Sequence, residues 1–343
     1  LTNAVRIDSA PRTVHPLYQC SHLRTSLFIN SLQFMVIQSY PDHDKIPPLT
    51  CLINYYIKPY FGSLIMNLFA TLQQFVPQQQ LSKVAGRLAA SRHPYVKRTF
   101  IRSFAKAYNV SLDEYERQSF NAYESFNDFF TRELKDDARI IDSSANGIVS
   151  PADGVISQLG QIRDHKLLQA KGRDYDIGQL LANSEEGSYF ADGSFATVYL
   201  APSNYHRVHM PFAGTLTKTR YVPGTLFSVN NTTAANVPDL FARNERLVCL
   251  FDTEYGKAAV VMVGAMIVAG IETVATGKIS RTDDIQEAEH HMSFAKGDEL
   301  GRFYLGSTAI VVLPKGAKAD WQDSMQANSV VQMGQLLGVA NAK

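Results

Sequence analysis

Apolar residues recur at helical spacing between positions 66 and 108: Leu81, Val84, Ala85 and Leu88 in one segment, then Val96, Phe100, Phe104 and Ala107 in the next. Pro77 and Pro94 divide this stretch, because proline lacks the N–H of the helical ladder and is tolerated at a helix start. The pattern predicts short amphipathic helices. Residues 124–134 predict another short helix, with Ser125 and Asp128 fitting a capping box. From about Ile148 the period changes. Runs rich in β-forming residues occupy 155–156, 195–200, 215–222, 247–251, 258–263 and 309–313, with Gly, Pro, Asn and Asp between them. Residues 252–256 predict a hairpin loop. No helical pattern alternates with these strands, so a parallel doubly wound sheet is not expected. The fold class expected is α+β: N-terminal amphipathic helices over 66–140, then a mostly antiparallel, β-sandwich or barrel-like domain over 141–343.

Charge sharpens the reading of the helical part. Residues 66–108 carry Lys83, Arg87, Arg92, Lys97, Arg98, Arg102 and Lys106, and no Asp or Glu. Arg98, Arg102 and Lys106 lie four apart on one face, away from the apolar side that holds Phe100 and Phe104. Such helices suit the interface of an anionic membrane. Periodicity alone favours the plainer reading, an amphipathic helix packed on its own domain, and the lack of any acid narrows the gap. A membrane span is not expected: residues 59–82 are uncharged but interrupted by Asn, Gln and Pro, and a span needs about 20 mainly apolar residues. Residues 258–271 are shorter and read as buried strand.

The whole chain has 343 residues, 45% hydrophobic and 19% charged, with a formal net charge of +1. Those values provide for a sizeable core and exclude disorder, and the balance predicts no nucleic-acid partner. Cys20, Cys51 and Cys249 are far apart, so neither a disulfide framework nor a zinc site is indicated, and a reducing compartment is the default. Residues 1–65 are irregular. They are expected to be an extension upstream of a start at Met66.

Three places carry candidate chemistry. Asp153, in Pro151-Ala152-Asp153-Gly154, reads first as a turn residue, and a carboxylate there can also orient a histidine. His206 and His209 stand three apart before Pro211. Either is a satisfied structural residue, a metal ligand or a general base, since imidazole titrates at about 6.5. Zinc would need a third ligand. His290 and His291 offer one, but the segment 286–291 reads as an exposed loop, and no metal is expected. Ser307 follows Gly306 in a tight turn that enters a buried strand. Its surroundings are not a G-x-S-x-G elbow. Asp153, His209 and Ser307 supply an orienter, a base and a nucleophile, and chain order alone does not bring them together.

Seven stretches, in order, resemble the phosphatidylserine decarboxylase family: 125–132 (SFNDFFTR), 151–154 (PADG), 205–211 (YHRVHMP), 221–224 (YVPG), 226–230 (LFSVN), 240–246 (LFARNER) and 301–308 (GRFYLGST). The resemblance covers about 66 to the C-terminus. It implies a pyruvoyl-dependent enzyme acting on phosphatidylserine, peripheral on the cytoplasmic side of a bacterial inner membrane, and a homodimer. By this resemblance Ser307 is the self-processing serine, with Asp153 and His209 completing its triad. Attack of the Ser307 hydroxyl on the Gly306 carbonyl turns the peptide into an ester, and elimination then splits the chain between 306 and 307. The remnant of Ser307 becomes a covalent pyruvoyl group, the pyruvate cofactor, heading an α chain of residues 307–343 that stays with the β chain. The resemblance further implies a Schiff base between the pyruvoyl and the substrate amine, and a part for His206 in decarboxylation. Two rival expectations stand beside it: a serine hydrolase using the same three residues without self-cleavage, and a catalytically silent membrane-binding relative.

Overall fold

Pro94 opens a helix, and a left-handed Asn109 (φ 51°) closes it, its amide bonded back to the Ala105 carbonyl. This helix, α2 (Pro94–Tyr108), follows α1 (Gln78–Ala89) in a computed structural model that describes residues 78–170, 172–265, 270–304 and 307–341. The expected extension 1–65, and Gly306, lie outside the described residues. The short helix α3 (Phe126–Phe130) starts where the capping signal placed it: the Ser125 hydroxyl accepts from the Asp128 amide at 3.1 Å, and Asp128 accepts from the Glu124 amide at 2.8 Å.

The strands that matter for the site are β1 (Gly147–Val149), β2 (Gly154–Gln161), β3 (Lys166–Ala170), β4 (Arg173–Asp176), β5 (Ser194–Leu200), β6 (Arg207–His209), β7 (Gly214–Val222), β8 (Arg246–Thr253) and β9 (Gly256–Gly264). They are followed by β10 (Ile271–Thr273), β11 (Gly277–Lys278), β12 (Gln286–Phe294), β13 (Glu299–Phe303), β14 (Ser307–Leu313), β15 (Asp320–Trp321), β16 (Val330–Val331) and β17 (Leu336–Val339). Eight of them form one sheet in the order β12-β7-β8-β9-β14-β5-β2-β16, every pairing antiparallel. A second sheet, β11-β10-β13-β6, carries the histidine motif. The sheets are open, so the fold is α+β as the sequence predicted, without barrel closure.

The central strands are apolar on both faces. Along β14, Ala309, Val311 and Leu313 join one core, which also holds Val208, Met210, Leu300 and Phe303. Ile310 and Val312 join the other, beneath Leu167, Ile177, Leu180 and Phe241. A sheet covered on both sides needs continuous apolar runs, which is why 258–263 and 309–313 were so legible. The hairpin at 252–256 is a two-residue turn closed by the Thr253–Gly256 pair.

Two expectations change. The segment 286–291 is an edge strand, not a loop. Its side chains are largely exposed, so it lacks the apolar alternation that marks a half-buried strand, yet its backbone pairs with β7 from Gln286↔Tyr221 to Phe294↔Gly214. The second concerns α2, whose buried residues are Ile101 and Ala105. Phe104 packs on Phe126, Phe129 and Phe130 with ring centroids 5.2, 6.2 and 5.7 Å away, so it serves the helical core. Phe100 touches Phe126 at 5.9 Å and stays 38% exposed. Arg98, Arg102 and Lys106 face outward, and so do Val84, Leu88, Tyr95 and Tyr108. Among the described residues no helix is long and apolar enough to cross a membrane.

Candidate active site

Strand register gathers the candidates. Val155 and Thr308 both pair with Tyr199, and Ser307 pairs with Leu200, so the starts of β2 and β14 flank the end of β5. Adjacent strands are about 4.8 Å apart, which puts Asp153 and Ser307 at one end of the sheet, two strands from each other. Gly154 is needed there for close approach: a Cβ on it would meet the Tyr199 carbonyl oxygen at 2.3 Å. After Leu200 the chain turns through 201–206, closed by the Ala201 amide donating to Asn204 Oδ1 at 2.7 Å. β6 then carries His209, whose amide donates to the Pro151 carbonyl at 2.7 Å. The motif holding Asp153 and the motif holding His209 are therefore laced together.

The side chains do not form a hydrogen-bonded relay. Asp153 takes a forked pair from Arg139, Nε at 3.0 Å and Nη2 at 2.5 Å, and a third bond from the Met333 amide at 2.8 Å. Both partners of this ion pair are buried, and the carboxylate raises the Arg139 guanidinium pKa further. His209 Nδ1 lies 2.7 Å from the Gly297 carbonyl, and its Nε2 lies 2.9 Å from the Tyr205 hydroxyl. Burial pushes the His209 pKa below the usual imidazole value. Asp153 reaches it through its charge, which favours the imidazolium.

Ser307 is fully buried, and its hydroxyl has no hydrogen-bond partner among the described residues. A buried hydroxyl without a partner is costly to keep, a state Ser307 shares with Thr197 and Thr308.

His206 is fully buried and stacks on Phe130 with centroids 4.0 Å apart. Its Nε2 is 3.3 Å from the Pro202 carbonyl, so that nitrogen donates. Burial, with the Arg132 charge second, pushes its pKa down to about 3. The unfolded chain takes up this proton near 6.5, so between about pH 6.5 and 3 stability is expected to fall as pH falls, by about 1.4 kcal/mol per unit from this residue. Replacing His206 with Asn should flatten the acid limb of the thermal midpoint against pH, and an unchanged limb would mean the imidazole is charged in the fold.

Arg139, Tyr205 and Gly297 were given no role from the sequence. The Lys296-Gly297-Asp298 triplet was readable as a turn, whereas nothing local marks Arg139 as the partner of Asp153. Among the described residues no group of three or more metal-ligating side chains gathers. His290 instead bonds Thr219 Oγ1 through Nε2 at 2.8 Å.

A family profile described as phosphatidylserine decarboxylase matches residues 126–339, and a second, described as PSD, matches 68–109. The chain is similar to the phosphatidylserine decarboxylase proenzyme of Psychrobacter cryohalolentis, 89% identical over 275 residues that cover 80% of this chain and 99% of that one. It is 88% identical over 278 residues to the proenzyme of Psychrobacter arcticus, covering 81% of this chain and 100% of the relative. With the proenzyme of Acinetobacter baumannii it shares 55% over 272 residues, covering 79% and 96%. Identity at this level over so much of each protein shows that the chain belongs to the phosphatidylserine decarboxylase family.

Proposed function

We propose that the protein converts phosphatidylserine to phosphatidylethanolamine after cutting itself between Gly306 and Ser307. The observation that carries the reading is the buried hydroxyl of Ser307 at the head of β14, without a partner among the described residues, within a chain of this family. In the scheme His209 takes the hydroxyl proton, and the Ser307 oxygen bonds to the Gly306 carbonyl carbon as the 306–307 C–N bond breaks, its nitrogen receiving the proton. Elimination from the resulting ester leaves Gly306 with a carboxylate, and one water releases ammonia from the remnant of Ser307. Fixed placement within one chain favours such an attack over any intermolecular route. The site fits the pyruvoyl group this would leave, because the Ser307 hydroxyl that self-cleavage removes bonds no other group among the described residues. That group supplies a ketone able to bind an amine and to accept the electrons released with carbon dioxide. His206, stacked on Phe130 with Nε2 bonded to the Pro202 carbonyl, is the residue proposed to assist decarboxylation.

The lipid substrate requires an interface. The outward basic residues Arg98, Arg102 and Lys106, with the exposed apolar residues Val84, Leu88 and Tyr95, support docking on an anionic bilayer at its cytoplasmic face. A homodimer, and continued association of the chains ending at 306 and starting at 307, belong to the same reading. The interleaving of β14 between β5 and β9 supports the second point. Vesicles containing phosphatidylserine give both readouts. The wild type should bind and release carbon dioxide, and Glu at positions 98, 102 and 106 together should weaken binding at least tenfold, at roughly 1 kcal/mol per charge. His206→Ala should cut itself and bind, yet release no carbon dioxide. Binding that survives the charge reversal would move the docking surface elsewhere, and wild-type protein inert toward the lipid would refute the proposed activity.

A further inference from the structure

The base of the proposed self-cleavage has an orienting group other than the one its sequence suggested. A carbonyl oxygen only accepts, so the 2.7 Å bond between His209 Nδ1 and the Gly297 carbonyl fixes a proton on Nδ1. In the neutral ring the basic nitrogen is then Nε2, and the Tyr205 hydroxyl, 2.9 Å away, donates to it. Asp153 bonds neither nitrogen of the His209 ring. Its oxygens are engaged by Arg139 and by the Met333 amide.

Gly297 is built to hold that carbonyl. Its φ of +91° belongs to the region that favours glycine, and a Cβ would meet the Ile141 side chain at 3.1 to 3.3 Å. Its amide donates to the Met210 carbonyl at 2.9 Å, and the Met210 amide donates to the Asp298 carbonyl at 2.8 Å. Asp298 closes the turn by accepting from the Ala295 amide at 2.6 Å. The turn is thus clamped to the chain one residue beyond His209. Tyr205 is buried and lies on the 201–206 loop that follows Leu200, the strand partner of Ser307.

We propose that the 295–298 turn positions His209 for self-cleavage and that Tyr205 restrains it: the Gly297 carbonyl sets the tautomer of His209, and the Tyr205 hydroxyl occupies Nε2 until the Ser307 hydroxyl displaces it. This rests on the self-cleavage reading above. When the Ser307 proton passes to Nε2, the Nδ1–H bond to Gly297 persists, so the ring does not turn during the transfer. The charged and titratable groups facing the imidazole are Glu299 and Arg207 from β13 and β6, Asp153 ahead of β2, and Tyr205. Of these, only Tyr205 bonds the basic nitrogen.

Nitrogen-15 spectra of histidine-labelled, full-length Ser307→Ala chain test the tautomer directly. Near neutral pH His209 should carry its proton on Nδ1. Tyr205→Phe in that background should keep the tautomer and raise the titration midpoint of the ring, by up to about tenfold in proton affinity, because a bond that favours the neutral form is lost. With Ser307 present, Tyr205→Phe should cut faster above that midpoint. Gly297→Ala should erode the tautomer preference about tenfold and slow cutting. Should Gly297→Ala fail to fold, Asp298→Ala loosens the same turn and carries the same expectation. A proton found on Nε2, or a Tyr205→Phe chain with unchanged titration, overturns the proposal. The spectra read the tautomer in an uncut chain, so a wild type that never cuts itself counts against the proposed function alone.

Discussion

Ser307→Ala is expected to leave a single uncut chain with no decarboxylase activity and an undiminished thermal midpoint. The residue is fully buried, and its hydroxyl bonds nothing among the described residues. Alanine there keeps the backbone pairing to Leu200 and Gly264 and removes only a polar atom that burial leaves unsatisfied. Losing such an atom is neutral or favourable by about 1 kcal/mol. The loss is therefore chemical, total and separable from folding. Gel analysis with a thermal melt checks it. A variant that still divides at 306–307 would remove Ser307 from the scheme, and one that does not fold would give the hydroxyl a structural role. His209→Ala should likewise stay uncut.

Removing Arg139 is expected to be the most destabilising change at the site. Its side chain is 5% exposed and that of Asp153 10%, and they meet through two bonds. Truncating one member of a buried pair leaves an uncompensated charge, which costs about 3–5 kcal/mol. Arg139→Met keeps much of the volume and isolates the charge effect. Adding Asp153→Asn should then restore stability in part, because a neutral amide oxygen still accepts from the Met333 amide. Denaturant midpoints measured on the Ser307→Ala chain, where every species is uncut, give the comparison. A double variant weaker than Arg139→Met alone would show that the loss comes from packing.

How far the sequence could be read follows from what each residue touches. The strand at 309–313 was visible because both of its faces are buried, so every position had to be apolar. The strand at 286–294 was missed because its exposed side chains carry no apolar pattern and its backbone pairing leaves no mark in residue type. The capping signal at Ser125 was reliable because it is local. For Phe104, spacing defined an apolar stripe on a helix without saying whether it meets a membrane or the protein's own core, and α3 lies there. Asp153, His209 and Ser307 were found as residue types suited to the chemistry; β2, β5 and β14 bring the first and last to one end of the sheet, and the bond from the His209 amide to the Pro151 carbonyl ties β6 to them. Their partners were not found. Arg139 joins Asp153 across space, and the group that holds His209 is a backbone carbonyl, which any residue possesses.

The most direct test of the account is the intact mass of the purified protein. Two polypeptides are expected, one ending at Gly306 and one made of residues 307–343. The smaller should be lighter than a serine-headed fragment by the mass of one ammonia and closed to stepwise degradation from its N-terminus. A single polypeptide running unbroken through 306–307, or a small fragment that still begins with serine, would contradict it.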